Sequence, residues 1–177
     1  TGDMDFMEEY GAELLIDICR FWVGKAFKDP ASGRYSIEGV MGPDEFHEKY
    51  PGSEKGGLKD NAYTNLMSAW VIGKTMEIIR GTGKEAHERL TKKTGLNEDE
   101  LNHWEDIIHK LSLEISGEGI IAQYRGYFDL KELDWEHYRS KYGNIYRMDR
   151  LLKAEGKSPD EYKVSKQADM LMTYYNL

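Results

Sequence analysis

Residues 4–27 read MDFMEEYGAELLIDICRFWVGKAF, and their apolar side chains recur at spacings of three and four residues. Such spacing places them on one face of an α-helix. The members of this apolar stripe are Phe6, Tyr10, Leu14, Ile18, Phe21 and Trp22. Asp29-Pro30 follows the stretch, and proline disfavours a helical conformation in the residue before it. The pattern predicts an amphipathic helix over residues 4–27.

The helical rhythm returns after Asn61 and predicts more helices along the chain. They are expected from Asn61 to about Gly81, from Lys84 to Lys93, from Asn97 to about Ile115, and from about Val164 onward. Asn97, with Glu100 three residues later, is typical of an N-cap and its reciprocal partner. Ser158-Pro159 is typical of a cap followed by proline at the first helical position. Successive helices joined by long loops predict an all-α fold, of the solenoid or barrel type rather than a compact bundle.

Residues 28–60 interrupt this rhythm and are rich in proline and glycine. A short alternating piece, residues 34–38, is the one candidate strand in this region. A loop of this length inside a compact domain is usually functional or disordered. Val40, Met41 and Phe46 are apolar, which indicates an ordered loop that packs against the protein. This loop is therefore the first place to look for a functional site.

The charge and the composition exclude some functions. The chain has 24 Lys+Arg against 32 Asp+Glu, a net charge of −8, which argues against a nucleic-acid partner because phosphate contacts need clustered basic residues. No stretch approaches the roughly 20 apolar residues of a membrane span. The single cysteine, Cys19, lies in an apolar run and is expected to be a buried core residue, in keeping with a reducing cytoplasm. The five histidines form no His-Glu-x-x-His pair, so a zinc site has little support. No cofactor is expected.

The densest group of reactive side chains is Gly42-Pro43-Asp44-Glu45-Phe46-His47-Glu48. Three chemical interpretations are open: a solvated run of charge, a divalent-metal site, or a carboxylic acid that donates a proton to a leaving oxygen. Acid catalysis needs a carboxyl whose pKa is raised by apolar or anionic neighbours, and Phe46, Asp44 and Glu48 would act on Glu45 in that direction. The residues alone do not decide which carboxyl would serve.

Four segments resemble glycoside hydrolase family 65, which includes the maltose, trehalose and kojibiose phosphorylases and related hydrolases. They occur in the family's order and span almost the whole chain. The matching segments are residues 2–6 (GDMDF), residues 40–48 (VMGPDEFHE) with 61–65 (NAYTN), residues 123–129 (QYRGYFD) and residues 166–169 (KQAD).

The resemblance implies that residues 1–177 are a fragment of the (α/α)6 catalytic barrel of a longer protein. By position in the family's motifs, Glu45 would be the general acid, and Lys166 and Gln167 would hold the glucose unit at the cleaved end. The reaction implied is cleavage of an α-linked glucose disaccharide such as maltose, trehalose or kojibiose. It would proceed with inversion, either by phosphorolysis, with inorganic phosphate as co-substrate, or by hydrolysis.

Two points stay open at the level of sequence. Residues 49–60 form a longer link than many family phosphorylases have, and this link leaves the disaccharide and the choice between phosphate and water undecided. The alternative function is a non-catalytic helical carbohydrate-binding or scaffold module. A fragment of a barrel should also expose apolar helix faces, so self-association, including a homo-oligomer, is expected.

Overall fold

The computed structural model describes residues 3–177, without the side chain of Met4. The chain forms two compact units: unit 1 contains the residues up to Ile37 and Asn65–Ser112, and unit 2 contains Glu38–Thr64 and Leu113–Leu177. The α-helices are α1 (Met4–Phe6), α2 (Ala12–Lys25), α3 (Ala62–Gly81), α4 (Lys84–Thr94), α5 (Glu98–Lys110), α6 (Trp135–Tyr142), α7 (Met148–Ala154) and α8 (Asp169–Asn176). A π-helical turn, Met7–Gly11, joins α1 to α2, and 3-10 turns cover Tyr127–Asp129 and Pro159–Glu161.

A small antiparallel sheet, in the order β1-β2-β3, accompanies the helices. Its strands are β1 (Ala26–Lys28), β2 (Tyr35–Val40) and β3 (Leu58–Lys59). β1 pairs with the first half of β2, with Ala26 opposite Ile37, and β3 pairs with the second half. The expected strand at residues 34–38 is confirmed. The expectation of an all-α fold is correct for the dominant helices and wrong for this sheet.

The first predicted helix is confirmed, but its end and its buried face differ from the prediction. It stops at Lys25, because the next residues pair with β2. The residues buried on α2 are Ala12, Ile16 and Cys19, whereas the predicted stripe is largely exposed, with Phe6, Tyr10, Leu14 and Phe21 at 51–58%. Both sides of this helix carry apolar residues, so periodicity alone could not identify the buried side.

The core of unit 1 lies between α2, α3, α4 and α5. Trp104 and Ile16 have no exposed surface, and they share one cluster with Ile72, Met76, Ile79 and Leu90. Cys19 belongs to the same cluster, and burial raises the pKa of its thiol, as expected of a core cysteine.

Helix α5 begins as predicted and ends earlier than predicted. The Asn97 side chain accepts a hydrogen bond from the Glu100 N–H at 3.0 Å, which confirms the N-cap. The Glu100 carboxylate accepts from Arg20 Nε at 2.7 Å instead of returning to the cap. The helix ends at Lys110 because Leu111 is extended, and the following Ser112 N–H donates to the Tyr35 carbonyl at 2.8 Å.

Unit 2 has shorter helices and two apolar clusters of its own. The larger one contains Phe46, Leu133, Tyr138, Met148, Leu152 and Val164, and the smaller one contains Leu58, Tyr124 and Leu130. The predicted cap at Ser158 with Pro159 at the first position is confirmed, and it begins a 3-10 turn. The last helix starts at Asp169, not at about Val164, so residues 164–168 form a bent segment.

In the part of the chain that the structure describes, every helix is too short or too polar to cross a bilayer.

Candidate active site

The loop of residues 42–48 lies in unit 2, and its first residue, Gly42, approaches two polar side chains closely. A Cβ atom on Gly42 would lie 2.4 Å from Asn61 Nδ2 and 2.4 Å from Asp169 Oδ2. Asn61 is fixed in turn, because its Oδ1 accepts from the Thr64 N–H at 2.9 Å and from the Thr64 hydroxyl at 3.0 Å. Glycine at position 42 therefore lets the loop approach these side chains closely.

Asp44 joins this loop to the segment that precedes α8. Its Oδ1 accepts from the backbone N–H of Lys166 at 2.8 Å and of Gln167 at 3.4 Å, and also from the Phe46 N–H at 3.2 Å. The residue is only 2% exposed. The bonds from Lys166 and Gln167 hold the segment just before α8, which begins at Asp169.

The second oxygen of Asp44 faces two side chains. Oδ2 accepts from Gln123 Nε2 at 2.7 Å and contacts His47 Nδ1 at 2.9 Å. Burial raises the pKa of the Asp44 carboxyl, but the hydrogen bonds from His47, Gln123 and the backbone outweigh burial, and the net shift is downward. Asp44 is thus an ionised anchor within the protein and not a proton donor.

His47 is a fixed structural contact of the same site. Its Nε2 lies 3.0 Å from the Tyr162 carbonyl oxygen, so each of its two ring nitrogens faces an oxygen atom of the protein. The ring packs against Tyr124 and Tyr127 at centroid distances of 5.3 and 5.6 Å. These contacts leave no ring nitrogen available to a substrate.

Glu45 differs from its neighbour Asp44 in both exposure and partners. Its side chain is 62% exposed. Oε2 accepts from Lys166 Nζ at 2.6 Å, Oε1 accepts from Gln167 Nε2 at 2.7 Å, and the Glu45 N–H donates to Gln167 Oε1 at 3.1 Å. The structure therefore brings together all three residues that the sequence singled out: Glu45, Lys166 and Gln167.

The protonation of Glu45 differs from the expectation. Phe46, Asp44 and Glu48 were expected to raise its pKa. Instead, the hydrogen bonds from Lys166 and Gln167, with the charge of Lys166, lower the pKa of Glu45. Phe46 packs into an apolar cluster of unit 2, and the carboxylate of Asp44 is held by donors of its own. In this state Glu45 is a carboxylate.

Asp169, which the sequence pattern did not single out, is the carboxyl with a raised pKa. Burial raises its pKa to about 6, and the charge of Asp44 adds to the effect. The Asn61 amide and the Asp44 N–H lie near enough to oppose this rise in the pKa of Asp169. Neither carboxylate oxygen of Asp169, however, accepts a hydrogen bond of good geometry. Asp169 lines a small cavity of about 190 Å³ together with Gln123, Tyr127 and Ser165.

Asp160 is a second anchor that the sequence did not reveal. Its Oδ1 accepts from the N–H groups of Glu48 at 2.9 Å and Lys49 at 3.2 Å, at the end of the loop of residues 42–48. The side chain is buried, with its other oxygen accepting from the Ser158 hydroxyl at 2.8 Å. The residue follows Ser158-Pro159 in a turn, and nothing in that local pattern indicates a contact more than a hundred residues away.

Among residues 3–177, no three His, Cys, Asp or Glu side chains converge as a metal site would require. Polar groups for a neutral or anionic substrate are present instead: an ammonium, an amide and a carboxylate on one exposed surface.

The chain belongs to glycosyl hydrolase family 65, whose central catalytic domain matches residues 1–177. It is 49% identical over 177 residues to an uncharacterised glycosyl hydrolase of Mycobacterium tuberculosis, covering 100% of this chain and 13% of that protein. It is 48% identical to the trehalose 6-phosphate phosphorylase of Lactococcus lactis, again over 177 residues, covering 100% of this chain and 21% of that protein. The family predicted from the four segments is therefore confirmed.

A solved structure supports the same assignment. A protein from the human microbiome, named as a kojibiose phosphorylase, superposes with a TM-score of 0.74 at 25% identity, covering 99% of this chain and 23% of that chain. This chain thus spans between 13% and 23% of the length of these relatives.

Proposed function

We propose that this chain is part of the (α/α)6 catalytic barrel of a longer enzyme that cleaves an α-linked glucose disaccharide, with Glu45 as the general acid. The observation that carries the proposal is the convergence of Lys166 and Gln167 on Glu45, at 2.6 and 2.7 Å, from a segment more than a hundred residues away. An ammonium and an amide beside a carboxyl provide what a sugar needs: donors for its hydroxyl oxygens and a proton source for its glycosidic oxygen.

Phosphorolysis is the reaction that the relatives favour. Trehalose 6-phosphate phosphorylase and kojibiose phosphorylase, at 48% and 32% identity, are both named as phosphorylases. Inorganic phosphate is then the co-substrate. The higher identity to the first of them favours a trehalose-type disaccharide that carries a phosphate.

In the proposed reaction, protonated Glu45 gives its proton to the glycosidic oxygen while a phosphate oxygen attacks the anomeric carbon from the opposite face. The carbon–oxygen bond to the leaving sugar breaks, a carbon–oxygen bond to phosphate forms, and the configuration inverts. The leaving sugar departs as a neutral alcohol, and Glu45 is left as the carboxylate that Lys166 and Gln167 stabilise. The residues that bind phosphate would come from parts of the protein outside this chain.

The test compares two glutamates three residues apart in the full-length protein. Glu45→Gln should reduce kcat on every α-diglucoside that the protein cleaves by about a hundredfold or more, because a general acid contributes at least that much. Glu48→Gln is the matched control: Glu48 is exposed in the same loop, and only its backbone contacts the site, so near-normal kcat is expected. Near-normal activity of Glu45→Gln would contradict the proposal. Sugar binding with no turnover in the unmodified protein would favour the non-catalytic module instead.

A further inference from the structure

Both side chains proposed to hold the sugar donate a hydrogen bond to Glu45 in this structure. Lys166 Nζ and Gln167 Nε2 each donate to a different oxygen of Glu45. A carboxylate held in this way has no proton to give, and its two partners are not directed at a substrate. A protonated carboxyl carries a hydrogen on one of its oxygens, so Glu45 becomes a proton donor only when at least one of these two contacts opens.

The main chain of the same two residues is held separately. The Lys166 and Gln167 N–H groups donate to Asp44, whose carboxylate is further fixed by Gln123 and by His47. Asp44 is 2% exposed, whereas the Lys166 side chain is 42% exposed and that of Glu45 is 62% exposed. Bonds buried in this way are expected to persist while the exposed side chains exchange partners.

We propose that Asp44 is a positioning residue of this site: its buried carboxylate fixes the main chain at Lys166 and Gln167, so that their side chains exchange between Glu45 and a bound sugar without movement of the loop. The inference rests on the proposed function, because it describes how the proposed acid changes between its two states. Asp44 itself touches neither the sugar nor the transferred proton.

When Lys166 and Gln167 change partners from Glu45 to a sugar, the protonation of Glu45 changes in one direction. Lys166 and Gln167 are the groups that hold the pKa of Glu45 down, together with a weaker effect of the Arg147 charge. Arg147 is itself paired with Asp149, at 2.9 Å between Nε and Oδ1, so it does not replace them. When a sugar takes both donors, the pKa of Glu45 rises, and the carboxylate binds the proton that it later donates.

The pH dependence of the full-length enzyme tests this. On the alkaline side, the pH at which kcat/KM falls reports the pKa of the acid in the free enzyme. The pH at which kcat falls reports the pKa of the same acid in the enzyme–substrate complex. The wild-type limb of kcat/KM should lie at lower pH than the limb of kcat. In Asp44→Asn a neutral amide oxygen replaces the carboxylate that holds the 166–167 segment. The segment should then hold Glu45 less well, and the kcat/KM limb should move to higher pH. The KM for the disaccharide should also rise.

Asp160→Asn is the matched control. Asp160 is a buried aspartate that anchors the same loop through Glu48 and Lys49, but it does not contact Lys166 or Gln167. It should leave the kcat/KM limb at its wild-type pH, whatever it does to stability. The positioning role of Asp44 would be overturned if the alkaline limb of kcat/KM stayed at its wild-type pH in Asp44→Asn. An equal shift of this limb in Asp160→Asn would overturn it as well. Neither result affects the Glu45→Gln comparison, so the two proposals fail separately.

A second measurement needs no Asp44 variant. Calorimetric titration of the wild-type protein with glucose at about pH 5, in two buffers of different ionisation enthalpy, should show net proton uptake on binding. The uptake should disappear in Glu45→Gln. Binding with equal proton uptake in both proteins, or with none in either, would contradict the exchange.

Discussion

Units 1 and 2 are stabilised by different kinds of buried group. Unit 1 is centred on apolar side chains carried by helices, with Trp104 and Ile16 fully buried among their neighbours. Unit 2 contains the buried carboxylates Asp44, Asp160 and Asp169, of which Asp44 and Asp160 accept backbone N–H groups from segments far away in sequence. The difference shows that this chain uses apolar packing to form a scaffold and buried charge to fix a loop.

The largest effect should come from the apolar scaffold. Trp104→Ala removes the largest fully buried side chain of unit 1 and leaves a cavity, so the opening free energy of α5 should fall by about 3–5 kcal/mol. Hydrogen exchange of the α5 amides in the full-length protein measures this. Trp70→Ala, at a position 43% exposed, should cost clearly less. Equal losses would mean that unit 1 does not depend on its apolar centre.

The next effect should depend on pH. The pKa of Asp169 rises from 3.8 to about 6, so its contribution to stability is complete below pH 3.8 and is lost as the pH rises through 6. The loss approaches about 3 kcal/mol at neutral pH. Asp169→Asn should remove this dependence, so that the stability of the variant relative to the wild type increases as the pH rises from 4 to 7. Hydrogen exchange of the α8 amides at pH 4 and pH 7 measures this difference in stability. An equal change with pH in both proteins would contradict a destabilising effect of the buried Asp169 charge.

A smaller effect should follow the loss of a loop anchor. Asp160→Ala leaves the N–H groups of Glu48 and Lys49 without their acceptor, which should cost about 2 kcal/mol of local stability. The exchange rates of those two amides report it directly. Glu132→Ala, which removes an exposed ion pair with Lys163, should change little. A comparable loss in both variants would show that burial of the anchor is unimportant.

The smallest effect concerns a helix end in unit 1. Asn97→Ala removes the N-cap of α5 and should cost about 1 kcal/mol, measured at the Glu100 amide. Asn102→Ala in the same helix is the control, because its exposed side chain caps nothing, and it should be neutral or slightly stabilising. An unchanged Glu100 exchange rate would contradict the cap.

The sequence predicted the parts of the molecule that local patterns determine. Helix α3, the Asn97 cap and the Ser158-Pro159 turn follow from spacing and capping within a few residues. The exposed stripe on α2 and the early end of α5 do not, because they depend on which neighbours the chain meets. In the site, motif resemblance singled out Glu45, Lys166 and Gln167. The structure brings these three side chains together, and the roles assigned to them stay predictions.

The electrostatics of the site could not be predicted in the same way. Sequence neighbours suggested a raised pKa for Glu45, but the decisive groups, Lys166 and Gln167, are distant in sequence and lower it. Asp169 appeared in a quoted motif without a role, and Asp44 was expected to raise the pKa of Glu45 rather than to hold the main chain. Both differences arise because burial is a property of the folded chain. No sequence pattern indicated that Asp160 holds the N–H groups of Glu48 and Lys49.

The proposed acid role of Glu45 is tested most directly by varying the leaving group. In the full-length enzyme, kcat/KM should be compared for wild type and Glu45→Gln on a disaccharide and on 2,4-dinitrophenyl α-glucoside, whose phenolate departs without a proton. If Glu45 supplies the proton, the variant should lose about a hundredfold or more on the disaccharide and nearly nothing on the dinitrophenyl glucoside. An equal loss on both substrates would contradict that role.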